Sequence, residues 1–264
     1  MKLGFIGAGN MGSAILNGIL KQGFLAPDQI AITDKVPASC AKFASQGVCV
    51  MEDNKSLVRA CECILLAIKP VYTAQVIEEV YTELEGKFVI SIVAGWNYDM
   101  LDRALPKTAR FVRVMPNTPR AVGEGMSLLS EKCRCTQEEF AFAQEVFSAA
   151  GKVAKVEDHV FIAATSINGC GPAFVYLFAE ALADGAVECG LTRDKAMLYA
   201  AQTLRGAAEL LITSGKHPGE LKDAVCSPGG TTIAGVHALE AGAFRASAME
   251  AVTAAYERTL ELKK

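Results

Sequence analysis

KLGFIGAGNMGSAILNGIL, residues 2–20, is the stretch whose reading decides the fold. Its first five residues are an apolar run with the character of a buried strand, and Ala14-Ile15-Leu16-Asn17-Gly18-Ile19-Leu20 carries a helical pattern. Between them stands Gly7-Ala8-Gly9-Asn10-Met11-Gly12, a G-x-G-x-x-G turn in the strand-to-helix setting that a dinucleotide site requires. Gly7 permits the tight turn, and Gly9 lets a pyrophosphate come up against the backbone. Gly12 lets helix and strand pack closely, with the helix N-terminus aimed at the negative charge.

Outward from this turn, short apolar runs alternate with helical patterns as far as about residue 156. The expected strands are residues 2–6, 30–33, 63–67, 88–93 and 110–115, with a hairpin-like pair, 126–129 and 152–156, completing the sheet. This is the signature of a mainly parallel, doubly wound α/β sheet that binds ligands at the C-terminal ends of its strands. Beyond residue 157 strand signals vanish and the sequence becomes alanine-rich. Helices are expected over residues 158–189, broken near Gly169-Cys170-Gly171-Pro172, and over 192–214, 219–225, 231–240 and 243–262. Thr192 with Asp194, and Ser247, suit turns or caps, while Gly190 and Gly215 stand where helices would stop. Two domains follow, residues 1–157 and 158–264. Residues 174–187 are apolar over too wide an arc for a solvated surface. So short a helical domain cannot cover that face alone, which predicts an intertwined homodimer.

Composition narrows the function. Of 264 residues, 51% are apolar, enough for a sizeable core, and a formal charge of -3 without long like-charge runs argues against nucleic acid or a polybasic membrane contact. Small molecules and copies of the chain are the expected partners. The nine cysteines are odd in number and scattered, with C-x-C but no C-x-x-C spacing, which fits reduced thiols in a cytoplasmic protein rather than staples or a metal site. Residues 159–179 carry no formal charge and are long enough to cross a bilayer, but Ser166, Asn168, Gly169, Gly171 and Pro172 interrupt them, so a helix packed on protein is the better reading. Neither a G-x-S-x-G elbow nor an H-E-x-x-H motif accompanies the three histidines, His159, His217 and His237.

Asp34 closes the second strand about twenty residues after the glycine turn, where an acid accepts both ribose hydroxyls of an adenosine and favours NAD. Lys35, Asn54 and Lys55 could instead form a polar pocket that tolerates a phosphate, and an ordinary turn carboxylate is the plainer alternative. Three further loops leave strand ends: Ala67-Ile68-Lys69-Pro70, Ala94-Gly95, and Met115-Pro116-Asn117-Thr118-Pro119, whose prolines fix a turn that presents Asn117 to the cleft. Each of these, taken alone, is as readily a structural turn. Near the other end, Ser227-Pro228-Gly229-Gly230-Thr231-Thr232 opens a helix, where unpaired amides and the helix dipole favour an anion such as a carboxylate.

The run LKDAVCSPGGTTIAGVHALE, residues 221–240, resembles the signature segment of the pyrroline-5-carboxylate reductases. Gly7 to Gly12, AIKP at Ala67, MPNTP at Met115 and NGCGPAF at Asn168 match that family in order and spacing, so the likeness covers essentially the whole chain. It implies a Rossmann-type N-terminal domain and an all-α C-terminal dimerisation domain, with higher oligomers left open. It further implies reduction of a cyclic imine to L-proline, the last step of proline biosynthesis, with NADPH or NADH. A substrate pocket before the helix at Thr231, at the dimer interface, follows from the same likeness. Ser227, Gly230 and Thr231 fall on the segment that holds the substrate carboxylate, and Thr232 on the catalytic hydroxyl that reaches the ring nitrogen. No metal is implied. Family members often carry a small hydroxyl residue where Asp34 stands, and serine where Asn168 and Cys170 stand.

Such a reaction explains the missing acid-base histidine, because a protonated imine brings its own proton and needs hydride positioning rather than a strong nucleophile. His237 would face away from Thr232 on an ideal helix. Two other functions suit the same plan. A hydroxy-acid dehydrogenase would need a lysine or histidine acid-base in the helical domain, for which Lys195 and Lys222 are the candidates. A nucleotide sensor that had lost catalysis would be expected to have lost the 227–232 turn as well.

Overall fold

The computed structural model describes residues 2–261; the expected domain ends at residues 1 and 264, and the expected helix end at Leu262, lie outside them. The chain runs through β1 (Leu3–Ile6), α1 (Asn10–Gln22), β2 (Ile30–Thr33), α2 (Pro37–Ala44), β3 (Cys49–Val50), α3 (Asn54–Ala60) and β4 (Cys63–Leu66). It continues through α4 (Pro70–Glu79), β5 (Phe88–Ser91), α5 (Tyr98–Ala104), β6 (Arg110–Pro116), β7 (Gly125–Ser130), α6 (Gln137–Ser148) and β8 (Gly151–Val156). Among the described residues these strands form one eight-stranded sheet in the order β3-β2-β1-β4-β5-β6-β7-β8. All pairs are parallel except β6 with β7.

The apolar runs of β1, β2, β4 and β5 are continuous because both faces of the sheet are covered, and every residue of these strands is buried. On one face Phe5, Ile32, Leu65 and Ile90 pack with Ile15, Leu16 and Ile19 of α1, Phe43 of α2 and Phe147 of α6. On the other, Ile6, Ile64, Leu66 and Val89 pack with Leu57 of α3, Val76 and Ile77 of α4 and Leu101 of α5. Strand order reverses where β1 lies between β2 and β4, and the crevice at the strand C-termini there is where doubly wound sheets hold ligands.

The expected hairpin of residues 126–129 with 152–156 does not form. β7 and β8 are parallel, from Gly125 opposite Gly151 to Ser130 opposite Val156, and α6 is the crossover a parallel pair requires. Thr136 starts α6 with a capping box in which its hydroxyl accepts from the Glu139 amide and Glu139 accepts from the Thr136 amide. The antiparallel neighbour of β7 is β6 instead, with Val114 opposite Leu129. The edge strand β3, only two residues long, had no counterpart in the expected strands.

α7 (Phe161–Asn168) lies against β6 and β7, and the first compact unit accordingly extends to Gly169, with residues 256–261 also belonging to it. Cys170–Ala255 form the second unit. It holds α8 (Gly171–Glu188), α9 (Arg193–Ser214), α10 (Pro218–Val225), α11 (Thr231–Ala241) and the greater part of α12 (Phe244–Glu261). The span Asp158–Glu188 is long and apolar enough by composition to cross a membrane, but α7 and α8 divide it at Gly169 and Cys170, with Pro172 in the first turn of α8. α8 and α9 pack through small side chains, Ala183 against Ala196 and Ala200. Thr192 is the N-cap residue of α9 by backbone, without a side-chain bond, and Gly215 ends that helix in the left-handed region. Ser247 caps nothing: it lies inside α12, where its amide donates to the Ala243 carbonyl. Val175, Tyr176, Leu177, Leu182, Leu198 and Tyr199 are exposed in the single chain.

Candidate active site

The glycine turn folds as its spacing requires. The Gly7 amide donates to the Thr33 carbonyl at the end of β2, and the Ala67 amide to the Ile6 carbonyl, which fixes the turn between β2 and β4. Gly7 has φ 105°, and a Cβ there would collide with the Ala67 carbonyl; one on Gly12 would collide with the Gly7 carbonyl. Gly9 faces open space, where a phosphate can approach. It is the N-cap of α1, which has neither a capping side chain nor an acid in its first turn, so the amides of Asn10, Met11 and Gly12 are left to an anion. The Ser13 hydroxyl, buried, donates to the Ala8 carbonyl and fixes the turn from behind.

A cleft of about 420 Å³ opens from this turn, lined by Gly7, Gly9, Asp34, Asn54, Ala67, Ile68 and Lys69 among others. The Asp34 carboxylate accepts from the Ala8 amide at 2.6 Å through Oδ2 and from the Val36 amide at 2.8 Å through Oδ1. Asn54 accepts from the Thr33 hydroxyl at 2.7 Å and donates to the Glu79 carboxylate at 3.2 Å. Pro70 begins α4, with Lys69 as its N-cap residue. Val36, Ser39 and Tyr72 also line the cleft but were not singled out in the sequence. Tyr72 was legible in principle, lying two residues beyond Pro70 on a helix that starts at the cleft. Lys55 does not line it.

Three of the expected cofactor residues lie elsewhere. Ala94 and Gly95 form an exposed turn after β5, outside the lining of this cleft. Asn117 is not presented to the cleft. Its Oδ1 accepts from the Met126 amide at 2.8 Å and its Nδ2 donates to Asn168 Oδ1 at 3.1 Å. The reason is the sheet: where β6 turns toward β7, the side-chain amide takes up bonds the backbone cannot make. Asn168 completes this clamp, donating to the Met115 and Met126 carbonyls at 2.9 and 3.3 Å and holding α7 to the strand ends.

In the second unit, Gly230 is the N-cap residue of α11, again without a capping side chain and without an acid in the first turn. Gly229 has φ 67°, and the Gly230 amide donates to the Ser227 carbonyl at 3.0 Å. A side chain at Gly230 would run into the Ser227 hydroxyl. Ser227, Gly230, Thr231 and Thr232 thus share one turn, whose first-turn amides at Thr231 and Thr232 have no intrahelical carbonyl to bond. His237 is exposed farther along α11. Lys195 is exposed, and Lys222 pairs with Asp223 at 2.5 Å. Among the described residues no three His, Cys, Asp or Glu side chains gather as a metal set.

Comparison with known proteins fits both halves of this description. Residues 158–262 match the family model for pyrroline-5-carboxylate reductase dimerisation, and residues 2–95 match that for NADP oxidoreductase, coenzyme F420-dependent. Pyrroline-5-carboxylate reductase from Pisum sativum is 43% identical over 98% of this chain and 95% of its own length. The structure of a pyrroline-5-carboxylate reductase from Coxiella burnetii superposes with a TM-score of 0.92 at 32% identity, covering 100% of this chain and 98% of that one. The Plasmodium falciparum pyrroline carboxylate reductase, solved with NADP bound, superposes at 0.89 and 32% identity, with the same two coverages. A chain so alike from end to end, in sequence and in fold, belongs to the pyrroline-5-carboxylate reductase family.

Proposed function

We propose that this protein reduces 1-pyrroline-5-carboxylate to L-proline, closing proline biosynthesis, with NADH or NADPH as the hydride source. The observation that carries the reading is the turn at Ser227-Pro228-Gly229-Gly230-Thr231-Thr232, which leaves amide donors uncapped at the start of α11 in a chain that also keeps an intact dinucleotide cleft. A substrate carboxylate suits those amides and the helix dipole, as the apolar rim of a membrane or partner contact would not.

The first unit binds and orients. Gly7, Ala8, Gly9, Asn10, Met11 and Gly12 take the pyrophosphate, Asp34 the adenosine ribose, and Asn54, Ala67, Ile68 and Lys69 form walls of the cleft, with Pro70 starting the helix behind Lys69. Ala94, Gly95 and the backbone at Asn117 are assigned to the nicotinamide end, where strand termini of a doubly wound sheet converge. The bound nicotinamide supplies a hydride to the imine carbon. Ser227, Gly230 and Thr231 hold the carboxylate, and the Thr232 hydroxyl bonds the ring nitrogen as it changes from imine to amine, which keeps the proton it arrived with. Residues 158–264 serve as the dimerisation domain, and the exposed apolar side chains of α8 and α9 support an intertwined homodimer. The odd number of cysteines supports a cytoplasmic setting.

Thr232→Ala tests the role of the hydroxyl. We expect kcat to fall by about 10² while the dissociation constant for the dinucleotide stays within about twofold. Wild-type kcat in that variant would take Thr232 out of the reaction.

A further inference from the structure

We infer that Asp34 makes the adenosine end of the cleft a reader of an unmodified ribose, so that this chain takes NADH in preference to NADPH. The inference rests on the cofactor site proposed above and deepens it. Relatives by themselves do not point this way, since one comparable structure was solved with NADP.

The argument is that this carboxylate cannot step aside. An aspartate at the end of a strand could rotate away from an incoming 2′-phosphate if its oxygens were unbound. Here Oδ2 accepts from the Ala8 amide at 2.6 Å and Oδ1 from the Val36 amide at 2.8 Å, so turning the group would unpair two backbone donors at once. One of them, Ala8, belongs to the glycine turn itself. The same two bonds leave each oxygen with a further lone pair, the capacity needed to accept from a ribose diol.

Neighbours indicate which end of a dinucleotide lies here. Val36 and Tyr72 line the same cleft as Asp34 and are exposed, an aliphatic and an aromatic side chain suited to the faces of an adenine ring. The basic residues of the cleft do not cancel the carboxylate. Lys35 holds its ammonium 5.2 Å from the centroid of the Tyr72 ring, toward the adenine position, and Lys69 enters from the N-terminus of α4 on another strand end. A phosphate beside Asp34 would therefore meet a fixed like charge, whereas a pair of hydroxyls would meet acceptors.

Direct binding distinguishes the possibilities. Titrating the full-length protein with NADH and with NADPH, each followed by nicotinamide fluorescence and calorimetry, is expected to give NADPH a dissociation constant at least about tenfold higher, one like-charge contact's worth. In Asp34→Ser and Asp34→Asn we expect that ratio to shrink by about tenfold or to invert, even where both constants worsen because the Ala8 amide has lost its acceptor. NADPH bound as tightly as NADH by the wild type overturns the inference and leaves the cofactor site standing, as does an unchanged ratio in the variants. Binding of neither dinucleotide by folded protein overturns the cofactor site and the inference with it.

Discussion

Arg120 is among the largest side chains in the protein with almost no exposure, 2%, and no carboxylate is bonded to it. Its Nη2 donates to the Phe147 carbonyl at 2.8 Å, where α6 ends, and the guanidinium lies over the Phe147 ring, while Nε and Nη1 find no partner among the described residues. Burial pushes its pKa down to about 10. The unfolded chain thus binds this proton more tightly than the folded one. The cost to folding is constant below about pH 10 and is relieved only as pH rises from there toward the unfolded value. We expect Arg120→Met to be as stable as the wild type or more so, by up to about 2 kcal/mol in urea unfolding at neutral pH. A loss larger than about 2 kcal/mol would mean that the packing and the bond to Phe147 outweigh the buried charge. At this scale the sequence was legible wherever a residue's role depends on its near neighbours. Gly7 and Gly12 have their expected steric roles, and Asp34 stands at the turn. The bond of Asn117 to Asn168 was not legible, because the two are 51 residues apart and no local pattern announces a bond of that kind.

Strands β1, β2, β4, β5 and β6 were legible because a buried parallel strand is a continuous apolar run, and β2 falls on the expected residues 30–33. Pairing was less so. The runs at β7 and β8 look the same whether they face each other parallel or antiparallel, and only the length of helix between them decides. That helix announces itself in Thr136 and Glu139, three residues apart, the spacing of a capping box. Its weight is measurable. Thr136→Ala removes the hydroxyl that accepts from the Glu139 amide and should lower stability by about 1 kcal/mol, seen as a lower urea midpoint with an unchanged slope. No change in midpoint would show that Glu139, also paired with Arg110 at 2.6 Å, starts the helix without the cap. The break between α7 and α8 was legible for the same local reason, a proline in a first turn after two glycines.

At the scale of the molecule, the two glycine-rich turns stand at the N-termini of α1 and α11, one in each compact unit, and both helices begin without a capping side chain or an early acid. At each of these two turns the uncapped amides are open to an anion, which suits a reaction between an anionic dinucleotide and a substrate bearing a carboxylate. The apolar exposure of α8 and α9 was legible as a face that needs cover, and the family match over residues 158–262 is to a dimerisation domain. What single-chain patterning could not supply is the geometry of that cover, because no residue pattern within one chain encodes where a second copy crosses it. The direct measurement is product formation. Purified protein incubated with 1-pyrroline-5-carboxylate and a reduced dinucleotide should lose nicotinamide absorbance and yield one L-proline for each dinucleotide oxidised. Folded, dimeric protein that forms no L-proline with either NADH or NADPH would contradict the assignment.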